Sequence, residues 1–152
     1  MGVNLRTKSR SAERGGKSIE NSVDSIYIDG SFVGQRYLVK INDKEVLFTP
    51  KSFKYFITLA FHLKNGNGRA GWVKLEDLEQ GYNQAKYIYR MKGEMKEAIG
   101  GSAPSIENNR MGNYRLAVEN PEVITFNAEI LKEDEDLDIR KFFIKINPDK
   151  KY

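Results

Sequence analysis

The 152-residue chain is 39% hydrophobic and 30% charged and has no cysteine, a globular composition that excludes disulfides and thiolate metal sites. No apolar run reaches the roughly 18 residues of a membrane span, and the polar, basic start lacks the apolar core of a secretory signal, so a membrane is not an expected partner and the cytoplasm is the expected compartment. The net charge of +4 is uneven: residues 51–118 hold eleven cations against six carboxylates and residues 119–152 six against nine, which favours a polyanion docking on one basic face.

Residues 1–22 are rich in Ser, Arg, Lys, Gly and Asn with few large apolar side chains. They cannot bury enough surface to offset their ordering entropy, and the expectation is a disordered basic arm. From Ser25 the apolar residues alternate: Ile26 and Ile28, then Tyr37, Val39 and Ile41, then Val46 and Phe48. This period of two predicts an N-terminal antiparallel sheet, with Asp29-Gly30 and Asn42-Asp43 as its turns. Thr49-Pro50 starts a helix, with Thr as N-cap and Pro at the first position, and Phe53, Phe56, Ile57, Ala60 and Leu63 form its apolar face. His62 near the end of that helix has no companion at ligand spacing and is read as a helix-terminus residue.

Gly66, Gly68 and Gly71 formally spell G-x-G-x-x-G, but they follow a helix rather than a strand, so they read as an interhelical loop with glycine C-caps and not as a dinucleotide cradle. Trp72, Val73, Leu75 and Leu78 predict a short second helix ending at Gly81. The third helix is expected over Gln84–Ile99. Gln84, Ile88, Met91, Met95 and Ile99 make its core face, while Lys86, Tyr89, Arg90 and Gly93 lie opposite with Lys92 and Lys96 on the flank. An ordinary solvated helix explains part of this pattern, since Arg90 and Glu94 suit an i, i+4 ion pair. Two helices joined tightly form a helix-turn-helix, whose second member is the natural groove reader.

Ile106–Val118 predicts a hairpin around Arg110-Met111-Gly112-Asn113, with Tyr114, Leu116 and Val118 on one face and Arg115 and Ala117 on the other. Beside the third helix it would be a wing, with Arg110 near its tip suited to a phosphate or the minor groove. Residues 121–152 are set apart as an acidic, partly extended extension. Asp134, Asp136 and Asp138 fail as a calcium loop, because Ile139 and Lys145 stand where Gly and Glu are needed, and Glu133–Asp138 reads as a solvated acidic turn. The following IRKFFIKI is a strand or short helix that covers the sheet edge or forms a dimer contact.

Four pieces in order resemble the winged-helix DNA-binding domain of OmpR/PhoB-type response regulators. EVLFTPKSFKYFITLAFHL (45–63) is similar to that family's strand and first helix, WVKLEDL (72–78) to its second helix, YIYRMKGEM (87–95) to its recognition helix and IENNRMGNYRL (106–116) to its wing. The resemblance covers roughly Tyr37–Val118. Met111 and Asn113 replace two wing glycines, Gly93 and Glu94 replace basic residues, Lys86 replaces an apolar one, and no room precedes Tyr37 for a receiver domain, so no phosphoacceptor aspartate is assigned. The implied fold is α+β: an N-terminal antiparallel sheet, three helices and a C-terminal wing over residues 23–120, plus the extra segment.

The resemblance implies a transcriptional regulator that binds double-stranded DNA. Lys86, Tyr89, Arg90 and Lys92 would read or flank the major groove, Lys51 and Lys96 would touch phosphates, and Arg110 and Arg115 would serve the wing. A second copy of the chain or the transcription machinery is a further partner. The alternative is a winged helix used for protein contact or oligomerisation, with Tyr82, Tyr87, Tyr89 and the apolar C-terminal segment as its surface. One His, no Cys and no placed acid/base pair offer no catalytic constellation, and no metal or cofactor is expected.

Overall fold

The computed structural model describes residues 23–66, 70–74, 78 and 83–144. The basic arm expected over 1–22, residues 67–69 of the GNGRAG loop, residues 75–77 and 79–82, and the chain after Ile144 lie outside the described residues. The chain is α+β, with one mixed four-stranded sheet, one three-stranded sheet and, among the described residues, four helices.

The alternating apolar residues place strands β1 (Ile26–Val33), β2 (Arg36–Ile41) and β3 (Lys44–Phe48) as an antiparallel meander. Ile26, Ile28, Val39, Ile41, Val46 and Phe48 are fully buried on one face, as a period of two requires. Asn42 and Asp43 form the β2–β3 turn with φ of 51° and 66°, and the Asn42 side chain accepts from the Asp24 and Ser25 amides. Asp29-Gly30 is not the first turn. It is an irregularity within β1, where the register shifts between Ile28 and Phe32. The chain reverses four residues later at Gly34-Gln35, φ 56° and 66°, because the pairing continues through Phe32 and Val33. Gly30 has φ +80°, and a Cβ there would come within 2.5 Å of Leu131 Cδ2, so glycine serves here as a seat for the C-terminal segment.

That seat explains why the sheet is mixed rather than antiparallel. Strand β7 (Ile124–Phe126), from the segment set apart as an extension, pairs in parallel with β1. Ile124 and Phe126 bring the inward alternation of Ile26 and Ile28 to the sheet edge. Helix α1 (Pro50–Asn65) then crosses the core with Phe53, Tyr55, Phe56, Ile57, Leu59 and Ala60 fully buried. Pro50 occupies its first turn as expected, but the Thr49 side chain makes no cap bond to that turn.

The short second helix differs at its start. Val73–Lys74 is strand β4, paired antiparallel with Asn113 and Tyr114. Val73 is β-branched and buried, and it extends the sheet formed by β5 (Ser105–Asn108) and β6 (Asn113–Ala117) in the order β4-β6-β5. Leu78 is helical and buried; its neighbours on either side lie outside the described residues. The expected glycine C-cap of α1 also differs: Gly66 has φ −69°, and its missing side chain serves close approach instead, since a Cβ would sit 2.3 Å from the His62 carbonyl.

Helix α2 (Gln84–Ile99) packs on α1 and β3 through the five residues expected to face the core: Gln84, Ile88, Met91, Met95 and Ile99. Helices α3 (Ala128–Leu131) and α4 (Leu137–Ile144) close the chain, raising the helix count from the expected three to four. In α4 Ile139 and Phe143 are buried, and Phe142 stacks on Phe61 at 4.3 Å between ring centroids. The open choice between strand and helix for IRKFFIKI thus resolves to a helix over its described part. No helix among the described residues is long and apolar enough to cross a membrane.

Candidate nucleic-acid interface

Helix α2 separates its two stripes cleanly. Opposite the five core residues, Lys86, Tyr89, Arg90, Lys92, Gly93 and Lys96 are exposed, and Tyr89 is 79% accessible. A Cβ added at Gly93 would meet nothing, so that glycine leaves an open notch in the outward face rather than relieving a clash. Lys86, Lys92 and Lys96 enter no ion pair among the described residues. Their ammonium groups point into solvent as screened, mobile charges.

Arg90 is held differently. Its guanidinium lies 5.5 Å from the centre of the Tyr87 ring, and Lys51 Nζ, from the first turn of α1, lies 5.2 Å from the same ring. Tyr87 is in turn set edge-on against buried Tyr55 at 5.8 Å. The half-buried Tyr87 ring therefore braces two of the candidate cations, Lys51 and Arg90, from two helices. A guanidinium on an aromatic face loses less rotamer freedom when it binds, and the contact contributes about 0.5–1 kcal/mol at an exposed site. The sequence reading gave Tyr87 no part in this; the signal available was its i, i+3 spacing to Arg90.

Glu94 does not pair with Arg90 across the helix surface. Its carboxylate turns inward, accepting from the Thr49 amide at 3.0 Å, the Thr49 hydroxyl at 2.8 Å and the Ser52 hydroxyl at 3.1 Å. A carboxylate at the start of α1 meets unsatisfied amides and the positive end of the helix dipole. Glu94 is therefore a strap that fixes α2 against α1, and of the two acidic residues in the helix it is directed away from the outward face while Glu97 stays exposed.

The β5–β6 hairpin follows the expected pattern of faces, with Leu116 and Val118 buried and Tyr114 packed against the core. Register places Glu107 opposite Arg115, and Arg115 Nε donates to Glu107 Oε1 at 2.6 Å. The Arg115 guanidinium also lies 4.6 Å from the Trp72 ring centre. Continuing the Val73–Tyr114 pairing by one residue sets Trp72 beside Arg115. Arg115 is thus tied within the hairpin sheet, whereas Arg110 is exposed at the tip with φ 64°. The eight candidate residues fall into three groups: Lys86, Tyr89, Lys92 and Lys96 open on α2; Arg90 and Lys51 on the Tyr87 ring; and Arg110 and Arg115 at the tip and root of the hairpin.

Comparisons with family models, curated proteins and solved structures give no match.

The acidic run is a turn with Glu133 and Glu135 exposed, but three of its carboxylates are engaged. Lys54 Nζ bridges Asp136 at 3.2 Å and Asp138 at 3.0 Å. Asp136 also accepts from the Asp138 and Ile139 amides at the start of α4, and Asp134 accepts from the Asp136 amide and the Tyr37 hydroxyl. Burial, then the Asp134 charge, pushes the Tyr37 phenol up from its ordinary value. Burial alone would lower the Lys54 ammonium, but its bonds to Asp138 and Asp136 outweigh that and raise it, and Lys54 holds the Asp138 carboxyl below the usual range. His62 Nδ1 donates to the Thr58 carbonyl at 2.8 Å. Among the described residues no group of three or more His, Asp or Glu side chains is placed to hold a metal ion.

Proposed function

We propose that the chain is a winged helix-turn-helix DNA-binding regulator, with α2 reading the major groove and the β5–β6 hairpin as a wing on the minor groove or backbone. The carrying observation is the composition of α2: one face is buried on α1 and β3, and the rest of its surface presents Lys86, Tyr89, Arg90, Lys92 and Lys96, with Glu94 turned inward and Glu97 the single exposed carboxylate. An exposed cationic helix of 16 residues is narrow enough for the major groove. The order α1, β4, helical Leu78, α2, β5, β6, with β4 closing the hairpin sheet, supports the winged arrangement.

In this reading Arg90 makes a bidentate base contact from its Tyr87 brace, Lys86 and Tyr89 flank it, and Lys51, Lys92, Lys96 and Arg110 neutralise phosphates. Arg115, tied to Glu107 and Trp72, stiffens the wing root. The rival, a protein-contact module, needs exposed tyrosines and an apolar C-terminal surface. Tyr89, Leu137 and Ile144 are exposed as that reading needs, whereas Tyr87 packs on Tyr55, and Ile139 and Phe143 point into the core.

Selecting bound duplexes from a random pool tests the proposal. A regulator enriches a recurrent motif, and a repeat of that motif gives half-site spacing for a dimer. A pool that stays random after repeated selection overturns it.

A further inference from the structure

The tip of the β5–β6 hairpin displays an apolar side chain on a stiffened loop. Met111 is 82% exposed, the most accessible of the large apolar residues described. Nothing about the loop leaves it there by slackness. The Asn108 side chain accepts from the Arg110 amide at 2.7 Å, and the Asn109 side chain accepts from the Met111 amide at 2.7 Å and the Asn113 amide at 3.2 Å. Arg110 adopts φ 64° and Gly112 φ 88°. A non-glycine residue in the left-handed region is unfavourable and persists only where its surroundings hold it. Three Asx bonds supply that hold, and the backbone so fixed carries the thioether outward instead of folding it onto the sheet. The neighbouring group at the tip is the exposed Arg110 guanidinium.

An unbranched apolar side chain beside a cation on a rigid two-stranded ribbon matches one ligand chemistry closely: the stacked base pairs of a duplex approached from the narrow groove. There the cation meets the negative potential of the groove, and the apolar side chain enters between two base pairs and partly unstacks them. Met suits the role because its flexible, polarizable thioether fills an irregular gap between flat surfaces. We propose that Met111 is a wedge that inserts at a flexible base step of the minor groove and kinks the duplex, with Arg110 anchoring the tip on the groove floor or an adjacent phosphate. The wedge rests on the DNA-binding reading and adds to it a mode of readout. Steps that unstack easily, such as TA and CA/TG, are preferred at positions the α2 helix does not touch.

The test uses the full chain with a mixed-sequence duplex carrying one central TA step, 2-aminopurine beside that step and a fluorophore pair at the duplex ends. Met111 lies in solvent, so its replacement leaves the fold intact, and thermal unfolding checks this for each variant. With the wild-type chain, 2-aminopurine fluorescence rises and the end-to-end distance shortens. Met111→Ala still binds but shows neither change, and its preference for the TA-containing duplex over one with a stiff A-tract falls about tenfold, equivalent to about 1.4 kcal/mol. Met111→Leu restores both signals. If the wild-type chain binds the duplex and Met111→Ala gives the same fluorescence and distance changes, the wedge is overturned while the DNA-binding reading stands. If the wild-type chain binds no duplex at low salt, that reading falls and the wedge with it.

Discussion

The acidic run Glu133–Asp138 and the cationic face of α2 both gather charge of one sign and use it in opposite ways. In the acidic run Asp134, Asp136 and Asp138 are each engaged, by the Tyr37 hydroxyl, by Lys54, or by amides at the start of α4. On α2, Lys86, Lys92 and Lys96 engage nothing among the described residues; of the helix's two carboxylates, Glu94 straps it to Thr49 and Ser52 and Glu97 is exposed beside Lys96. Charge that is paired internally holds an element in place, whereas charge displayed without a partner adds little to folding and is available to a partner of opposite sign. In the proposed reading the acidic end serves structure and the α2 face serves binding.

The largest expected effect falls on the structural side. Phe143→Ala removes a buried ring packed among Phe61, Phe126 and Phe142 and should cost about 3–5 kcal/mol in urea unfolding. Measured where the variant is still folded, duplex affinity should stay within threefold of wild type, about 0.6 kcal/mol. A large loss of affinity in folded protein would blur the division between the two regions.

Glu94→Ala sits on the border and should affect both. Three hydrogen bonds to a carboxylate at a helix start predict a loss of about 2 kcal/mol. Duplex affinity should fall as well, although the substitution raises the net charge of α2, because α2 is no longer fixed against α1. A rise in affinity would mean that electrostatics alone governs binding and that the strap is irrelevant to it.

On the binding side, Arg90→Ala should cost about 1–3 kcal/mol at a single base position and leave unfolding within about 0.5 kcal/mol of wild type. Comparing wild type and variant on a panel of single-base substitutions checks this; a uniform loss across the panel would make Arg90 a phosphate contact. Tyr87→Leu, which removes its brace, should show a weaker version of the same pattern.

These outcomes also mark what was legible in sequence. The 2.0 and 3.6 periods located the first three strands, both long helices and the hairpin, because each buries one face and its apolar residues recur accordingly. Three features escaped. Parallel pairing of β7 with β1 joins residues about a hundred positions apart, and nothing in Ile124–Phe126 names its neighbour. Val73–Lys74 reads as helix or strand until β6 supplies an edge to pair with. The direction of Glu94 depends on where α1 begins relative to α2, so a surface ion pair with Arg90 was the natural local reading. The candidate residues were all found on accessible or half-accessible positions, but the rings that brace them, Tyr87 and Trp72, depend on tertiary contacts and left only spacing as a trace.

The smallest structural effect is the pH dependence of the Lys54 cluster. The Asp138 pKa is lowered in the folded state, so its contribution is complete above the unfolded carboxylate value and is lost as pH falls through the folded one. The Lys54 pKa is raised, so its contribution is present below the unfolded lysine value and lost as pH rises through the folded one. Both partners are partly exposed, which limits the pair to about 0.5–1 kcal/mol. Lys54→Met should flatten the acid limb of the stability curve by that amount without moving duplex affinity at neutral pH.

Smaller still on a single site, Lys96→Ala should reduce the slope of log affinity against log salt by about 0.9 and leave base preference unchanged. The full salt titration bears most directly on the central claim that the α2 face binds duplex DNA. With the four proposed phosphate contacts, affinity for a mixed-sequence duplex should fall about 10²-fold between about 50 and about 200 mM salt. No binding at the low-salt end, or an affinity indifferent to salt, would contradict the account.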